Sequence, residues 1–220
     1  MFKGKLVVLS LIAAALLCWQ VMPASVDSAN SGIVDPCSSF ASSAGGCYVV
    51  CPQGDGPALN ALAPAAGDAT ISVTVRDQTG AAIAGIPAAD FWLIGWTDQL
   101  ALCGGAGSIN ASAATDSNGE TTITGVLAAG GCDDGVVVVV QGTIILDPAD
   151  WTTPLCLPVD VRSPDGDGSL DVGSPDFTQF GNAWQPLGGI YDACMDFDCS
   201  GAINSIDFQV FGNHWQHQCF

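Results

Sequence analysis

The chain carries very little positive charge for its length. Its 220 residues include four lysines and arginines against 22 aspartates and glutamates, for a formal net charge of −18 at pH 7. Lys3 and Lys5 lie near the N-terminus, so Arg76 and Arg162 supply the cationic side chains of the remainder. Phosphate groups are bound by clustered lysine and arginine, which this sequence lacks. The composition therefore argues against a nucleic-acid or anionic-lipid partner.

Side chains that commonly perform catalysis are also scarce. The sequence has one glutamate, Glu120, and two histidines, His214 and His217, near the C-terminal end. With Cys219, the two histidines form a candidate transition-metal site, although a solvated helix end is the favoured interpretation. No Ser-His-Asp or Cys-His arrangement is credible with the histidines in this position. We therefore predict that the protein is not an enzyme.

The longest apolar run lies at the N-terminus. Residues 1–24 have the basic start, the apolar stretch 6–17 and the small residues around Ala24 that are typical of a secretory signal peptide. The run is shorter than the ~20 residues of a membrane span. We expect a secreted or cell-surface protein with no span after cleavage. A lipoprotein anchored at Cys18 is disfavoured, because Leu17 occupies the place of a small residue.

Ten cysteines are present, nine of them beyond the expected leader. In an exported protein such cysteines are more often disulfides than metal ligands. We expect Cys103 to pair with Cys132, and Cys219 to pair with Cys194 or Cys199. The odd number leaves at least one thiol unpaired or intermolecular.

The composition changes along the chain and predicts separate regions. Residues 25–68 are rich in small residues and are expected to form an irregular, cysteine-containing N-terminal segment. Short strand patterns with Gly, Asn and Asp turns then predict a β-sandwich over 69–147. A linker is expected over 148–162, and two repeats follow over 163–220.

Three stretches carry the strand prediction. Polar and apolar residues alternate over 70–76, and a further strand pattern runs over 120–126. Five consecutive valines over 136–140 predict a central strand that is covered on both faces. The aromatic residues around Phe91 and Trp96 are interpreted as core, with an exposed ligand-binding patch as the alternative.

Residues 70–88 and 114–125 resemble a bacterial immunoglobulin-like domain of the invasin/intimin type. The similarity consists of a strand, an Asp-x-x-Gly turn at 77–80, a small-residue strand, and the turn 115–119 that opens another strand. The resemblance implies an immunoglobulin-like sandwich that serves adhesion or binding.

The most specific pattern is a duplication with a period of 31 residues near the C-terminus. Each copy has oxygen-bearing side chains at loop positions 1, 3, 5 and 12 and an apolar residue at 8, which is typical of an EF-hand-type calcium loop. The pattern predicts two calcium ions. The candidate ligands are Asp165, Asp167, Ser169, the Asp171 carbonyl and Asp176 in the first loop, and Asp196, Asp198, Ser200, the Ala202 carbonyl, Asn204 through a water, and Asp207 in the second.

The two copies are not equivalent. Loop position 6 favours glycine, and the second copy has Gly201 there whereas the first has Leu170. The first copy also has Gly173 where the second has Asn204. We therefore predict that the first loop binds calcium more weakly, and that the repeats lose much of their order without calcium.

A short helix is predicted after each loop. Ser174 is the expected N-cap before Pro175 at N1, and Ser205 is the matching cap in the second copy. Aromatic residues recur at helical spacing in both copies and predict a small shared core. They are Phe177, Phe180 and Trp184 in the first copy, and Phe208, Phe211 and Trp215 in the second.

A duplicated calcium loop with a single following helix resembles a type I dockerin domain, over residues 163–220. The resemblance implies a cohesin-like protein, or another extracellular protein, as partner. It also implies that loop positions 10 and 11 contact the partner, namely Ser174, Pro175, Ser205 and Ile206. The expected fold is thus mainly β, an immunoglobulin-like β-sandwich followed by a small α-helical dockerin-like module.

The favoured function is a secreted, non-catalytic, calcium-binding protein for interaction or adhesion. One alternative is a structural cell-surface component whose repeats dock within the chain or between copies. Another is a dockerin-bearing accessory to polysaccharide degradation, or a hydrolase with a dockerin tail.

Overall fold

The computed structural model describes residues 32–61, 68–97, 99–104, 109–146 and 156–220. Within these ranges the protein is mainly β, with two α-helices in the C-terminal repeats. The strands are β1 (Phe40–Ser43), β2 (Gly46–Val49), β3 (Ile71–Thr74), β4 (Phe91–Gly95), β5 (Leu100–Leu102), β6 (Glu120–Ile123), β7 (Ala129–Gly131), β8 (Val136–Val140), β9 (Thr143–Ile145) and β10 (Val159–Arg162). The helices are α1 (Ser174–Ala183) and α2 (Ser205–Asn213).

The strands form two three-stranded and two two-stranded sheets. The order β1-β3-β6 and the order β4-β8-β9 are each antiparallel throughout, whereas β2 and β10 pair in parallel and β5 and β7 antiparallel. Ile71 lies opposite Ile123, and Phe91 lies opposite Val140. Inward-facing residues of both three-stranded sheets belong to one buried apolar cluster. The predicted strands at 70–76, 120–126 and 136–140 are therefore present, and the apolar stretch that begins at Phe91 forms a further strand, β4.

The valine strand β8 is buried on both faces, as its sequence predicts. Val136, Val138 and Val140 belong to the main core. Val137 faces a separate cluster that includes Leu146, with Trp96 packed against it. Apolar side chains on alternate faces each find an apolar partner, which a run of five β-branched residues requires. Phe91 is fully buried, which confirms the core interpretation for that residue.

Two segments that were expected to be irregular contain strands. Residues 25–68 include β1 and β2, and the expected linker 148–162 ends in β10. The prediction was wrong there because neither stretch alternates clearly over enough residues to be recognised. Their strands form instead by pairing at a distance, β1 with β3 and β2 with β10. The expected signal peptide and most of the expected linker lie outside the described residues.

The helix boundaries differ from the prediction by one residue. Gly173 and Asn204 are the N-caps, and Ser174 and Ser205 are the first helical residues. The serines are displaced because the carboxylates of Asp176 and Asp207 accept hydrogen bonds from the Gly173 and Asn204 N–H groups, at 2.8 Å each. A carboxylate three residues into the helix fixes where the helix begins.

The two helices share a small aromatic core, as expected. The stacked rings of Phe180 and Phe211 are 5.3 Å apart between centroids, and both side chains are buried. Val172 and Ile203, the apolar residues at loop position 8, are buried in the same cluster. Val49, from β2, packs against it. The repeats therefore contact the β-rich part through their core.

The disulfides connect different residues from those expected. Cys47 pairs with Cys199, Cys103 with Cys219, and Cys132 with Cys194. The predicted Cys103–Cys132 bridge and the predicted pairing of Cys219 with Cys194 or Cys199 were wrong. The physical reason is that the pairing depends on the folded positions of the strands: Cys47 lies in β2, and Cys103 and Cys132 directly follow β5 and β7, and these three cysteines lie beside cysteines of the repeats. Cys51 and Cys156 are buried and unpaired.

Among the described residues, neither helix has the length and apolar character needed to cross a membrane.

Candidate functional site

The first loop brings three of its predicted carboxylates together. Ligand oxygens of Asp165, Asp167 and Asp176 lie within 4.8 Å of one another. Asp165 and Asp176 are fully buried, and Asp167 is exposed. The Ser169 N–H donates to Asp165 Oδ1 at 3.0 Å and to Asp167 Oδ1 at 2.9 Å. These bonds curl the backbone so that alternate side chains point to one place.

The second loop has the equivalent arrangement of carboxylates and backbone hydrogen bonds. Asp196, Asp198 and Asp207 have ligand oxygens within 4.8 Å of one another. The Ser200 N–H donates to Asp196 Oδ1 at 3.0 Å and to Asp198 Oδ1 at 3.1 Å. The Gly201 N–H donates to Asp196 Oδ2 at 2.8 Å. Two separate segments thus share the same hydrogen bonds and the same carboxylate convergence, which argues against a chance arrangement.

Other predicted ligands occupy defined positions. The Ser169 and Ser200 hydroxyls donate to the carbonyls of Asp171 and Ala202, at 3.2 Å each. The Asn204 side chain accepts from the Ile206 N–H at 2.9 Å and donates to the Ala202 carbonyl at 3.0 Å. Asn204 therefore caps α2, and its expected part in holding a water stays a prediction.

The buried carboxylates are electrostatically unfavourable as they stand. Burial raises the pKa of Asp165 to about 6, and the negative charge of Asp176 adds to the rise, although the Leu170 N–H opposes it. Burial likewise raises the pKa of Asp207, against the hydrogen bonds that it accepts from Asn204 and Phe197. Among the described residues, none of the six loop aspartates is ion-paired to a protein cation.

Such a group of carboxylates attracts a hard cation. Calcium takes six to eight oxygen ligands, including carboxylates and backbone carbonyls. Each loop presents three carboxylates together with a hydroxyl and a carbonyl at loop position 7. A divalent cation there would offset both the burial of the charge and the repulsion from Asp176 that raise the pKa of Asp165. The donor set, which is entirely oxygen, fits calcium better than zinc or copper.

The backbone at loop position 6 is left-handed in both copies. Leu170 has φ of 68° and Gly201 has φ of 83°. The left-handed conformation costs a residue with a β-carbon about 1–2 kcal/mol, and glycine does not bear this cost. Loop position 4 is left-handed as well, with Gly168 (φ of 67°) in the first loop and Cys199 (φ of 51°) in the second, so each loop holds one residue with a β-carbon in this conformation. Backbone strain therefore does not separate the two loops, and the weaker binding of the first loop stays a prediction.

Three contacts to the loop aspartates were not predicted from the sequence, because all three come from outside the repeat pattern. Asp165 packs against Gly130 in β7 so closely that a β-carbon at residue 130 would collide with its carboxylate. The Gly131 N–H also donates to the Asp165 carbonyl at 2.7 Å. In the second loop, the Tyr191 hydroxyl donates to Asp196 Oδ2 at 2.8 Å. One sign of these contacts was visible in the sequence, namely the pair of glycines in β7, since glycine within a strand often marks a close approach of the backbone to another group.

The predicted partner-contact residues are exposed. Ser174, Pro175, Ser205 and Ile206 all lie at the first turns of the two helices and face solvent. The helices and the turn after α2 also expose aromatic side chains: Phe177 is 48% exposed, Phe208 49% and Trp215 41%. With Phe211 and Gly212, these three aromatic residues line a shallow apolar groove.

Comparison of the chain with known protein families, with curated proteins and with solved structures found no match.

Alanine substitutions at two glycines of the repeats distinguish the effect of backbone strain from the effect of packing. A β-carbon added at Gly201 or at Gly181 would meet no atom within 4 Å, and only Gly201 has positive φ. We expect Gly201→Ala to destabilise the protein by about 1 kcal/mol, whereas Gly181→Ala in α1 stabilises it by about 0.5–1 kcal/mol. Urea unfolding in calcium, followed by tryptophan fluorescence, measures both. Equal effects of the two substitutions would contradict a left-handed position 6.

The Gly130 contact predicts that β7 supports the first loop. Gly130→Ala should displace Asp165, lower the stability by about 1–3 kcal/mol, and weaken calcium binding at one of two sites. Gly125→Ala is the matched control, because a β-carbon there meets only Ile109 at an ordinary 3.6 Å. Calorimetric calcium titration and urea unfolding report the two effects. Unchanged calcium binding in Gly130→Ala would show that the loop does not depend on this contact.

Proposed function

We propose that the protein is a secreted, non-catalytic, calcium-binding protein whose C-terminal repeats form a dockerin-like interaction module. The observation that carries the proposal is the pair of matched three-carboxylate groups in the two loops. Buried carboxylates without a protein cation favour a bound divalent cation. The all-oxygen donor set selects calcium as that cation.

The interaction role is supported by the surface of the two helices. Ile206 is 52% exposed, and Phe177, Phe208 and Trp215 line an apolar groove formed by the two helices and the turn after α2. Exposed aromatic residues in one place are typical of protein–protein contacts. By the dockerin resemblance, the partner is a cohesin-like protein.

The β-rich part is proposed to be an immunoglobulin-like sandwich that serves adhesion or binding. Two three-stranded antiparallel sheets with a common core support that architecture. The resemblance of residues 70–88 and 114–125 to bacterial immunoglobulin-like domains supports the same conclusion.

One alternative has specific support. In a structural cell-surface component, the repeats would dock within the chain rather than bind a partner. All three disulfides between described residues connect the β-rich part to the repeats, which favours such docking. The exposed aromatic groove favours the interaction role, because no other described part of the chain covers it.

Calcium binding is tested by calorimetric titration of the purified chain. We expect two ions per chain at submillimolar to millimolar calcium, the range of extracellular modules. Asp196→Ala and Asp207→Ala should unfold the repeats more than Asp165→Ala and Asp176→Ala, because the first loop already binds more weakly. Asp116→Ala, an exposed aspartate outside the repeats, is the control. No binding, or the reverse order of the variants, would overturn the assignment.

The interaction role is tested with a panel of purified cohesin domains. We expect capture in calcium but not in chelator, and at least a tenfold loss of affinity in Ile206→Asp, since interface hot spots cost about 2 kcal/mol or more. Leu187→Asp is the matched control, because Leu187 is 87% exposed but lies between the loops. Calcium-dependent self-association without cohesin capture would instead favour the structural component.

A further inference from the structure

A second group of metal-ligating side chains lies outside the calcium loops. Cys51, Asp55, His214 and His217 each offer one ligand atom, and these atoms lie within 4.8 Å of one another. Two of the residues follow β2 and two follow α2, so the group joins segments more than 150 residues apart. It lies at the boundary between the β-rich part and the repeats.

The distances fit a tetrahedral metal site. Cys51 Sγ lies 3.3 Å from His217 Nδ1, Asp55 Oδ2 lies 3.3 Å from His217 Nδ1, and Asp55 Oδ1 lies 4.0 Å from His214 Nε2. Zinc holds sulfur at about 2.3 Å and imidazole nitrogen at about 2.0–2.1 Å, which places neighbouring ligand atoms about 3.3–3.6 Å apart. Only small side-chain movements would complete that geometry.

The hydrogen bonds around the group orient its ligands. His214 Nδ1 lies 2.8 Å from the Val210 carbonyl, so this nitrogen carries the proton and Nε2 presents its lone pair toward Asp55. A carbonyl partner on the second ring nitrogen is the usual arrangement of zinc-bound histidine. The His217 N–H donates to the His214 carbonyl at 3.0 Å, which holds the two imidazoles on one side of the turn.

The backbone also fixes the other two ligands. The Cys51 carbonyl accepts from the Gly54 N–H at 2.9 Å, which closes a turn that returns Asp55 toward the cysteine. The Ala129 N–H donates to the same carbonyl at 3.3 Å and anchors Cys51 beside β7. Cys51 is fully buried, and the side chains of His214 and His217 are 15% and 20% exposed. Three of the four ligands are therefore largely shielded from water, whereas the Asp55 side chain is 42% exposed.

We propose that Cys51, Asp55, His214 and His217 bind one transition-metal ion, with zinc as the ion whose ligand preference they match. A thiolate and two imidazoles are ligands that calcium does not use and zinc prefers. The site is distinct from both calcium loops in its residues and in its donor atoms. It would fasten the turn after α2 to the turn after β2.

A catalytic Cys-His pair is the competing interpretation of the same residues. A nucleophilic cysteine requires a lowered thiol pKa and access for a substrate. The Cys51 side chain instead has no exposed surface, so it offers no access to a substrate. A structural ion therefore accounts for the group better than a nucleophile.

The test uses the full chain in saturating calcium, so that the carboxylate loops do not take up the added metal. We expect one zinc per chain after dialysis, measured by atomic emission. Cobalt(II) as a probe should give the strong visible bands of tetrahedral coordination and a thiolate-to-cobalt charge-transfer band. Weak bands typical of octahedral cobalt would overturn the proposal. Loss of all zinc on dialysis would also overturn it, because the contact between Asp55 and His217 would then be an ion pair and not part of a metal site.

Substitutions assign the site to these residues. Cys51→Ala should abolish the charge-transfer band, and His217→Gln should weaken zinc binding at least about 100-fold, since even outer-shell changes cost about 10–100-fold. Cys156→Ala, which removes the other buried unpaired thiol, should leave spectrum and affinity unchanged. If circular dichroism shows that Cys51→Ala is unfolded, the His217→Gln variant alone tests the site, because His217 is partly exposed. Unchanged zinc affinity in His217→Gln would refute the site.

Discussion

The disulfides that cross from the β-rich part to the repeats are the constraint on which the rest of the structure depends. Cys47–Cys199, Cys103–Cys219 and Cys132–Cys194 close loops with sequence separations of 152, 116 and 62 residues. Repeats of about 60 residues form too small a core to be stable unaided. Their stability therefore comes partly from covalent attachment to the strands. The repeats are thus part of the folded body rather than a free C-terminal tail.

The same connections show where sequence reasoning succeeds and where it fails. The valine strand Val136–Val140 was predictable because five adjacent apolar residues must be covered on both faces. The disulfides were not, because the spacing of cysteines favoured partners that are near in sequence. Their true partners depend on where β2, β5 and β7 end in space, which no local pattern encodes. Strands β1, β2 and β10 were missed for the same reason, since each forms by pairing at a distance.

The contacts of the candidate site also divide into local ones, which the sequence predicts, and distant ones, which it does not. The carboxylates of each loop were predictable, because Asp196, Asp198 and Asp207 converge through hydrogen bonds within a dozen residues. The contact of Asp165 with Gly130 was not, because it joins the first loop to β7. The histidines show the same limit: the sequence places Cys219 beside them, but Cys219 is bound to Cys103. The thiol that does reach the imidazoles is Cys51.

The first calcium loop and the proposed zinc site are joined by backbone hydrogen bonds. The Val172 N–H, at position 8 of the first loop, donates to the His217 carbonyl at 2.9 Å, and the Gln216 N–H donates to the Val172 carbonyl at 3.0 Å. The first calcium loop is therefore paired with the turn that carries the two imidazoles of the proposed zinc site. An ion that orders either segment lowers the entropy cost of ordering the other, and this coupling is reciprocal.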